Sequence, residues 1–258
     1  MHPHMLRHTY VTTMSDAGVD LRDVQIAARH ADPRTTMCYD RARTTLDHHP
    51  NSGQDRSMTA PDPAIRVAPA NEARWEDLQT VFGRRGEASR CQCQRYKLPP
   101  RESFASVPAD DRADRLRRQT GCGHPESDTT SGLLAYLDRE PVGWCAVEPR
   151  TAYAGLLRSY RVPWAGRAED KDDDGVWAVT CFVTRAGSRR RGISRALAHA
   201  AVEFARERGA RAIEGYPMTT TDAILEELHV GTQDVFIDAG FAEVSRPTQR
   251  RAVMRIDF

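Results

Sequence analysis

Apolar positions along the chain change period several times, and the changes mark the elements. Leu6, Tyr10 and Met14 stand four apart with Val11 beside them, which predicts one helical face over 5–17. Gly18 follows as a C-cap. Leu21, Val24, Ile26 and Ala27 predict a second helix over 21–29, and Pro33 starts a third short turn. Residues 51–63, NSGQDRSMTAPDP, show no period and read as a linker. From Ile65 onward strand and helix patterns alternate. A strand is predicted over 65–68, then a helix over 72–82 with Trp75, Leu78, Val81 and Phe82 on one face. Residues 109–118, ADDRADRLRR, predict a charged, mostly solvated helix. Strands at 133–137 and 142–147 flank Asp138-Arg139-Glu140-Pro141 as a hairpin. VWAVTCFV, 176–183, is the longest apolar strand and is expected at the centre. A helix over 192–208 stops at Gly209, and a strand follows at 212–216. A short helix at 233–239 ends at Gly240, and a strand at 251–256 closes the sheet. The expected fold is α+β over 64–258, with a mostly antiparallel sheet, preceded by a small all-α segment over 1–50.

Composition changes this picture in two places. The chain has 258 residues and a formal net charge of +1, from 37 basic and 36 acidic side chains. That balance argues against a chain-wide polyanion-binding surface. Lys97 and Lys171 are the only lysines, an arginine bias that points to GC-rich coding and a bacterial source. His2, His4, His8, His30, His48 and His49 are six of the nine histidines, which suggests two regions of different origin. No apolar run reaches membrane-spanning length and MHPHMLRHTY has no signal-peptide core, so a cytoplasmic location is expected, with no membrane partner. Six cysteines are too few for a disulfide scaffold and suit a reducing compartment.

The early histidines fall into a pattern: His4-x-x-Arg7-His8, then Arg29-His30-Ala31, then Thr35-Thr36-Met37-Cys38-Tyr39. His4 and Arg7 share a helix face, His30 comes 23 residues after Arg7, and Tyr39 nine after that. This resembles the C-terminal catalytic end of a tyrosine recombinase (phage integrase). The resemblance implies Tyr39 as nucleophile on a DNA phosphate, with His4, Arg7 and His30 as donors to the phosphoryl transition state. The family's upstream arginine, β-hairpin lysine and N-terminal clamp precede this box in its members and are absent here. Residues 1–57 also hold seven arginines against seven aspartates, which offers few phosphate contacts. The expectation is an inactive remnant fused in frame, with Met58 as the ancestral start of the second domain.

The second pattern lies in the central unit. The strand ends at Phe182-Val183, an arginine-rich turn follows, and a helix opens at Gly192. A helix N-terminus offers free N–H groups and a positive dipole end to a pyrophosphate. Arg189-x-x-Gly192-x-Ser194 resembles the R/Q-x-x-G-x-G/A acetyl-CoA loop of GNAT-family N-acetyltransferases, with serine as a mild departure. Phe236-Ile237-Asp238-Ala239-Gly240-Phe241 resembles that family's Y-x-x-x-G-F segment. GxGxxG and Walker A motifs are absent, which disfavours NAD and ATP. The resemblance implies a GNAT acyl-CoA fold and transfer of an acetyl group to a primary amine. It implies acetyl-CoA held by the backbone of Phe182 and Val183 and by Arg189, Arg190, Arg191, Gly192, Ile193, Ser194 and Arg195.

Phe236 stands where many members place an acidic tyrosine, and phenylalanine has no proton to donate. Tyr216, at the end of the strand after the loop–helix unit, is a nearby hydroxyl, with a packed strand aromatic as the other reading. Glu214, or a water held by Glu148, is the candidate base. Cys91-x-Cys93 and Cys122-x-His124 lack the usual zinc spacing, so no metal is expected, and Cys91, Cys93 and Tyr96 are expected to line the acceptor side. The acidic run 169–174 either steers a cationic acceptor or is a surface loop. The R-x-x-G…E-G-Y-P…G-F arrangement is similar to GNAT proteins of high-GC bacteria, some of which acetylate protein lysines. The other reading is a DNA-binding or recombining protein with an appended acyl-CoA-binding domain.

Overall fold

The computed structural model describes residues 65–220 and 227–258. The chain separates into two units, Met1–Ala60 and Pro61–Phe258, and every described element belongs to the second. The helices expected at 5–17 and 21–29, and His4, Arg7, His30 and Tyr39, lie outside the described residues.

Seven strands form one sheet: β1 (Ile65–Pro69), β2 (Gly132–Leu137), β3 (Glu140–Pro149), β4 (Val176–Thr184), β5 (Ala212–Gly215), β6 (Ala242–Thr248) and β7 (Arg251–Asp257). Their order is β1-β2-β3-β4-β5-β7-β6, which puts β4 in the middle. Only β4 and β5 run parallel, and helix α5 (Ile193–Glu207) connects them as a crossover. The other helices are α1 (Trp75–Phe82), α2 (Glu87–Cys91), α3 (Ala109–Thr120), α4 (Ala154–Ser159) and α6 (Gln233–Asp238). This is the α+β architecture that the patterning predicts. None of the described helices is long and apolar enough to cross a membrane.

Period-two alternation sorts the sheet's side chains into two cores. Leu133, Ala135, Cys145, Val147, Val179 and Phe182 face α5 and meet Ile193, Leu197, Ala198 and Ala201. Leu134, Tyr136, Trp144, Ala146 and Cys181 face the other way, against Leu78, Val81 and Phe82 of α1 and Leu116 of α3. Two glycines permit close layers. A Cβ on Gly143 would lie 2.4 Å from Ile193 Cγ2, so α5 sits directly on β3. A Cβ on Gly215 would lie 2.0 Å from Phe236 Cε1, so the fully buried Phe236 packs flat against β5. The β2–β3 hairpin turns at Asp138 and Arg139, both left-handed with φ of 50° and 70°, the hand that a two-residue hairpin requires.

Three elements are absent from the sequence pattern. Strand β6, absent from it, is an exposed edge strand containing Pro247, so no buried face marks it. Helices α2 and α4 have five and six residues, too short for a period to show. Helix α3 is not wholly solvated: Arg112 is buried, and its guanidinium donates to the carbonyls of Arg90 (2.7 Å), Phe104 (3.1 Å) and Val107.

The central pair opens midway. β4 pairs with β5 only across 176–179, whereas its other edge stays bonded to β3 as far as Thr184. The second half of β4 therefore has no β5 partner. A register shift opposite Ala146 and Val147 makes Thr180 the extra residue of a bulge, which bends the strand there. The turn Leu228–Val230 and Gly231 pack beside this free edge, with the Gly231 Cα surface against the Phe182 and Phe236 rings.

Candidate functional site

The open edge of β4 has a different chemistry on each side of the sheet. On the α5 side the strand runs into an arginine-rich turn. Phe182 is buried under the Phe236 ring (centroids 5.8 Å apart), and Val183 is half-buried. Arg189, Arg190 and Arg191 are exposed, and none pairs with a carboxylate among the described residues. Gly192 caps the helix at φ 77° with no side-chain cap. The first intrahelical bond is Ala196 N–H to Gly192 O at 3.0 Å, so the N–H groups of Ile193, Ser194 and Arg195 precede the ladder. Positive φ at Arg190 and Gly192, with the opposite sign at Arg191, is the alternation that forms anion-binding nests. Arg195 lies apart from the turn's other arginines. It reaches Asp234 and Asp238 of α6 at 3.5 Å each. A cavity of about 280 Å³ borders α6, lined by Met218, Thr219, Thr232, Gln233, Asp234 and Ile237.

On the opposite side the sheet presents aromatic side chains. Tyr96, Tyr153, Tyr216 and Met218 form a third buried cluster with Ala178 and Val253. Tyr96 comes from the loop after α2. Its hydroxyl and His229 Nε2 share a hydrogen bond of 3.3 Å, and its ring meets Tyr160 edge-on at 4.5 Å. Burial pushes the Tyr96 phenol well up, more than the Arg251 guanidinium pulls it down, so it stays protonated at neutral pH. His229 sits on the Leu228–Val230 turn beside β4's free edge. Tyr96, expected from the sequence to line the acceptor side, lies here beside His229, which the sequence does not single out. A lone histidine between β5 and α6 carries no spacing signal, and only the turn's placement makes it visible.

Glu214 and Tyr216, the sequence candidates for base and acid, are brought together here but committed elsewhere. The Glu214 carboxylate is fully buried and accepts four hydrogen bonds. Arg167 (2.5 Å) and Arg255 (2.8 Å) donate to Oε1; Arg150 (3.2 Å) and the Tyr216 hydroxyl (2.8 Å) donate to Oε2. Burial alone would raise its pKa, but the Arg167 hydrogen bond and the surrounding guanidinium charges hold it below the usual carboxylate range. A carboxylate with every acceptor position filled is a poor base, and the Tyr216 hydroxyl, donating to it, is a poor acid. Both residues anchor an ion cluster instead. Arg150, itself without exposure, also donates to Asp170 O at 2.6 Å and lies over the Trp164 ring. Glu148, the other candidate, pairs with Lys97 and accepts from Ser131 Oγ at 2.9 Å.

The acidic run is likewise spoken for at its ends. Glu169 contacts Arg150, Arg167 and Arg255, and Asp173 contacts Arg211 at 2.6 Å. Asp170, Asp172 and Asp174, the other carboxylates of the run, are exposed. Cys93 is buried with Cys181 and receives the Trp144 indole N–H at 3.2 Å; Cys122 meets the Thr120 hydroxyl at 3.2 Å. Cys91 is buried as well, and its burial pushes the thiol up to about 11.

Comparison with known proteins separates the two ends of the chain. Residues 1–45 match the phage integrase family. Tyrosine recombinase XerC of Bacillus licheniformis is 38% identical over 58 residues, 20% of this chain and 19% of that protein. XerC of Lacticaseibacillus casei is 47% identical over 51 residues, 20% of this chain and 16% of that protein. The chain thus spans under a fifth of the length of these recombinases. Among solved structures, a GCN5-related N-acetyltransferase from Kribbella flavida is 17% identical, with a TM-score of 0.41 over 76% of this chain and 98% of its own. The GNAT domain of S. lividans PAT is 18% identical, with a TM-score of 0.41 over 75% and 89%. PaiA N-acetyltransferase from Thermoplasma acidophilum, in complex with coenzyme A, is 11% identical, with a TM-score of 0.40 over 76% and 99%. Residues 93–222, half of the chain, match the acetyltransferase (GNAT) family, and the match runs from Cys93 through the open β4 edge and the arginine-rich turn to the end of β5. The chain belongs to that family.

Proposed function

We propose that this protein transfers the acetyl group of acetyl-CoA to a primary amine. The observation that carries this reading is the arginine-rich turn at the free edge of β4. Arg189, Arg190 and Arg191 have no carboxylate partner there, and helix α5 begins with unbonded N–H groups. Such a turn suits a pyrophosphate, and Gly192 brings the backbone close to it. Beyond Val179 the edge of β4 that faces away from β3 has no β5 partner, and its main-chain groups, those of Phe182 among them, are placed to bond an amide-bearing arm in place of the missing strand.

Acetyl transfer requires the amine nitrogen to attack the thioester carbonyl, forming a C–N bond as the C–S bond breaks. One proton leaves the nitrogen and one reaches the departing sulfur. The Tyr96–His229 pair fits that exchange. The imidazole takes the amine proton, the neutral phenol supplies one to the thiolate, and the imidazole then returns its proton to the phenol oxygen. This assignment fills the gap left by Phe236, which is sealed between Gly215 and Phe241.

Thiol release from acetyl-CoA across an amine panel tests the reading directly. Turnover that needs an amine supports it. Calorimetric binding of acetyl-CoA that survives Gly192→Val would overturn the turn's role, because a β-branched residue at φ 77° displaces the cap.

The integrase match favours a second reading, that residues 1–45 contribute DNA recombination. The even charge of residues 1–57 supports the remnant instead. A covalent adduct on a suicide DNA substrate that disappears in Tyr39→Phe would establish recombination.

A further inference from the structure

On the acceptor side one cation stands out. Arg251, at the start of β7, projects to the same face as Val253 and Arg255, where the Tyr96 cluster lies. Its Nη2 donates to Tyr216 O at 2.8 Å, and among the described residues its buried Nε has no hydrogen-bond partner and its half-buried guanidinium no carboxylate within ion-pair distance. Its backbone bridges Met218, whose N–H bonds Gly231 O at 3.0 Å at the end of the turn that carries His229. A partly buried guanidinium without a counter-ion is costly unless a ligand supplies one.

The neighbouring carboxylates do not serve. Glu214 is saturated, Glu148 is held by Lys97, and Glu169 is shared among three arginines. Arg150, Arg167 and Arg255 face only Glu214 and Glu169 within their cluster, so that network itself leans positive; Asp257 adds one exposed partner to Arg255. An acceptor with one anionic group would find Arg251.

Resting on the transferase reading above, we infer that the acyl acceptor is a small amine that carries a carboxylate, bound by Arg251 with its amino group at the Tyr96–His229 pair. The Tyr96 and Tyr160 rings, edge-on at 4.5 Å, put apolar surface beside the pair. A charge-assisted bond to a carboxylate is directional and discriminates an acid from its amide.

The test is thiol release from acetyl-CoA with the twenty free amino acids, their carboxamides, spermidine and a lysine-containing peptide. The expected result is turnover of at least one amino acid, with kcat/KM about 10- to 100-fold above its carboxamide. Arg251→Gln, which keeps a donor for Tyr216 O, should collapse that difference through KM, and Arg251→Lys should restore part of it. Acetyl-CoA affinity within about twofold of the parent's, measured by calorimetry, controls for folding. Equal rates on acid and amide, or turnover confined to spermidine or the peptide, would overturn the inference and leave the transferase reading standing. Tight acetyl-CoA binding with no amine turned over would remove both.

Discussion

Two groups of arginines flank the same strand pair, and they behave in opposite ways. Arg189, Arg190 and Arg191 lie on an exposed turn with no carboxylate partner. Arg150, Arg167 and Arg255 surround Glu214 in the interior and, with the Tyr216 hydroxyl, leave none of its lone pairs free. The residue type is the same, and its surroundings decide its use. An exposed, unpaired guanidinium keeps its capacity for an anionic ligand. A buried, paired one holds the chain together, because its desolvation is repaid only by the fixed carboxylate. Arg251 lies between these extremes: half-buried, bonded to a carbonyl, and without a counter-ion among the described residues.

The sharpest way to break this comparison is to remove Glu214. Glu214→Ala leaves Arg150 buried against nothing, and a loss of about 3–5 kcal/mol in unfolding free energy is expected by urea denaturation. A loss under about 1 kcal/mol would show that the cluster is not a scaffold. The same carboxylate sets an acid limit. Its folded pKa lies below its ordinary 4.5, so its contribution is fully present above about that pH and is lost as the pH falls through the lowered value. Glu214→Gln should therefore flatten the dependence of Tm on pH in this acid range, while the neutral-pH Tm falls.

Replacing the turn arginines should do the reverse. Arg189→Glu with Arg191→Glu is expected to weaken acetyl-CoA binding by more than about tenfold, because the helix N-terminus and the turn then act against each other on a pyrophosphate. Stability should move by no more than about 0.5 kcal/mol, as for exposed positions generally. Unchanged affinity would separate the turn from the cofactor.

The sequence showed the turn and concealed the cluster, and the reason is physical. The turn is local: glycine, arginines and a helix start lie within seven residues, 189–195, so spacing reveals it. Glu214 and Arg150 are 64 residues apart, and only the β4–β5 pairing brings them within 3.2 Å. Glu214 was therefore legible as a carboxylate near the centre but not as a saturated one. His229 was missed for the same reason. The fold was easier, because buried strands and the α5 face repeat every two or 3.6 residues. The unread strand β6 is exposed along much of its length, and burial is what makes a pattern visible.

The smallest expected effect isolates exposure from position. Arg185 sits at the end of β4, four residues before Arg189, and its guanidinium reaches Glu140 at 3.2 Å. Both side chains are largely in solvent, so the pair is screened and gains little beyond what water provides. Arg185→Ala should leave Tm within about 2 °C of the parent's. It should also leave acetyl-CoA affinity within about twofold, because the backbone bond that fixes this corner, Arg185 N–H to Val142 O at 2.9 Å, needs no side chain. A loss of affinity as large as that of the turn variants would mean that nearness to β4, rather than freedom from a carboxylate, decides which arginines bind.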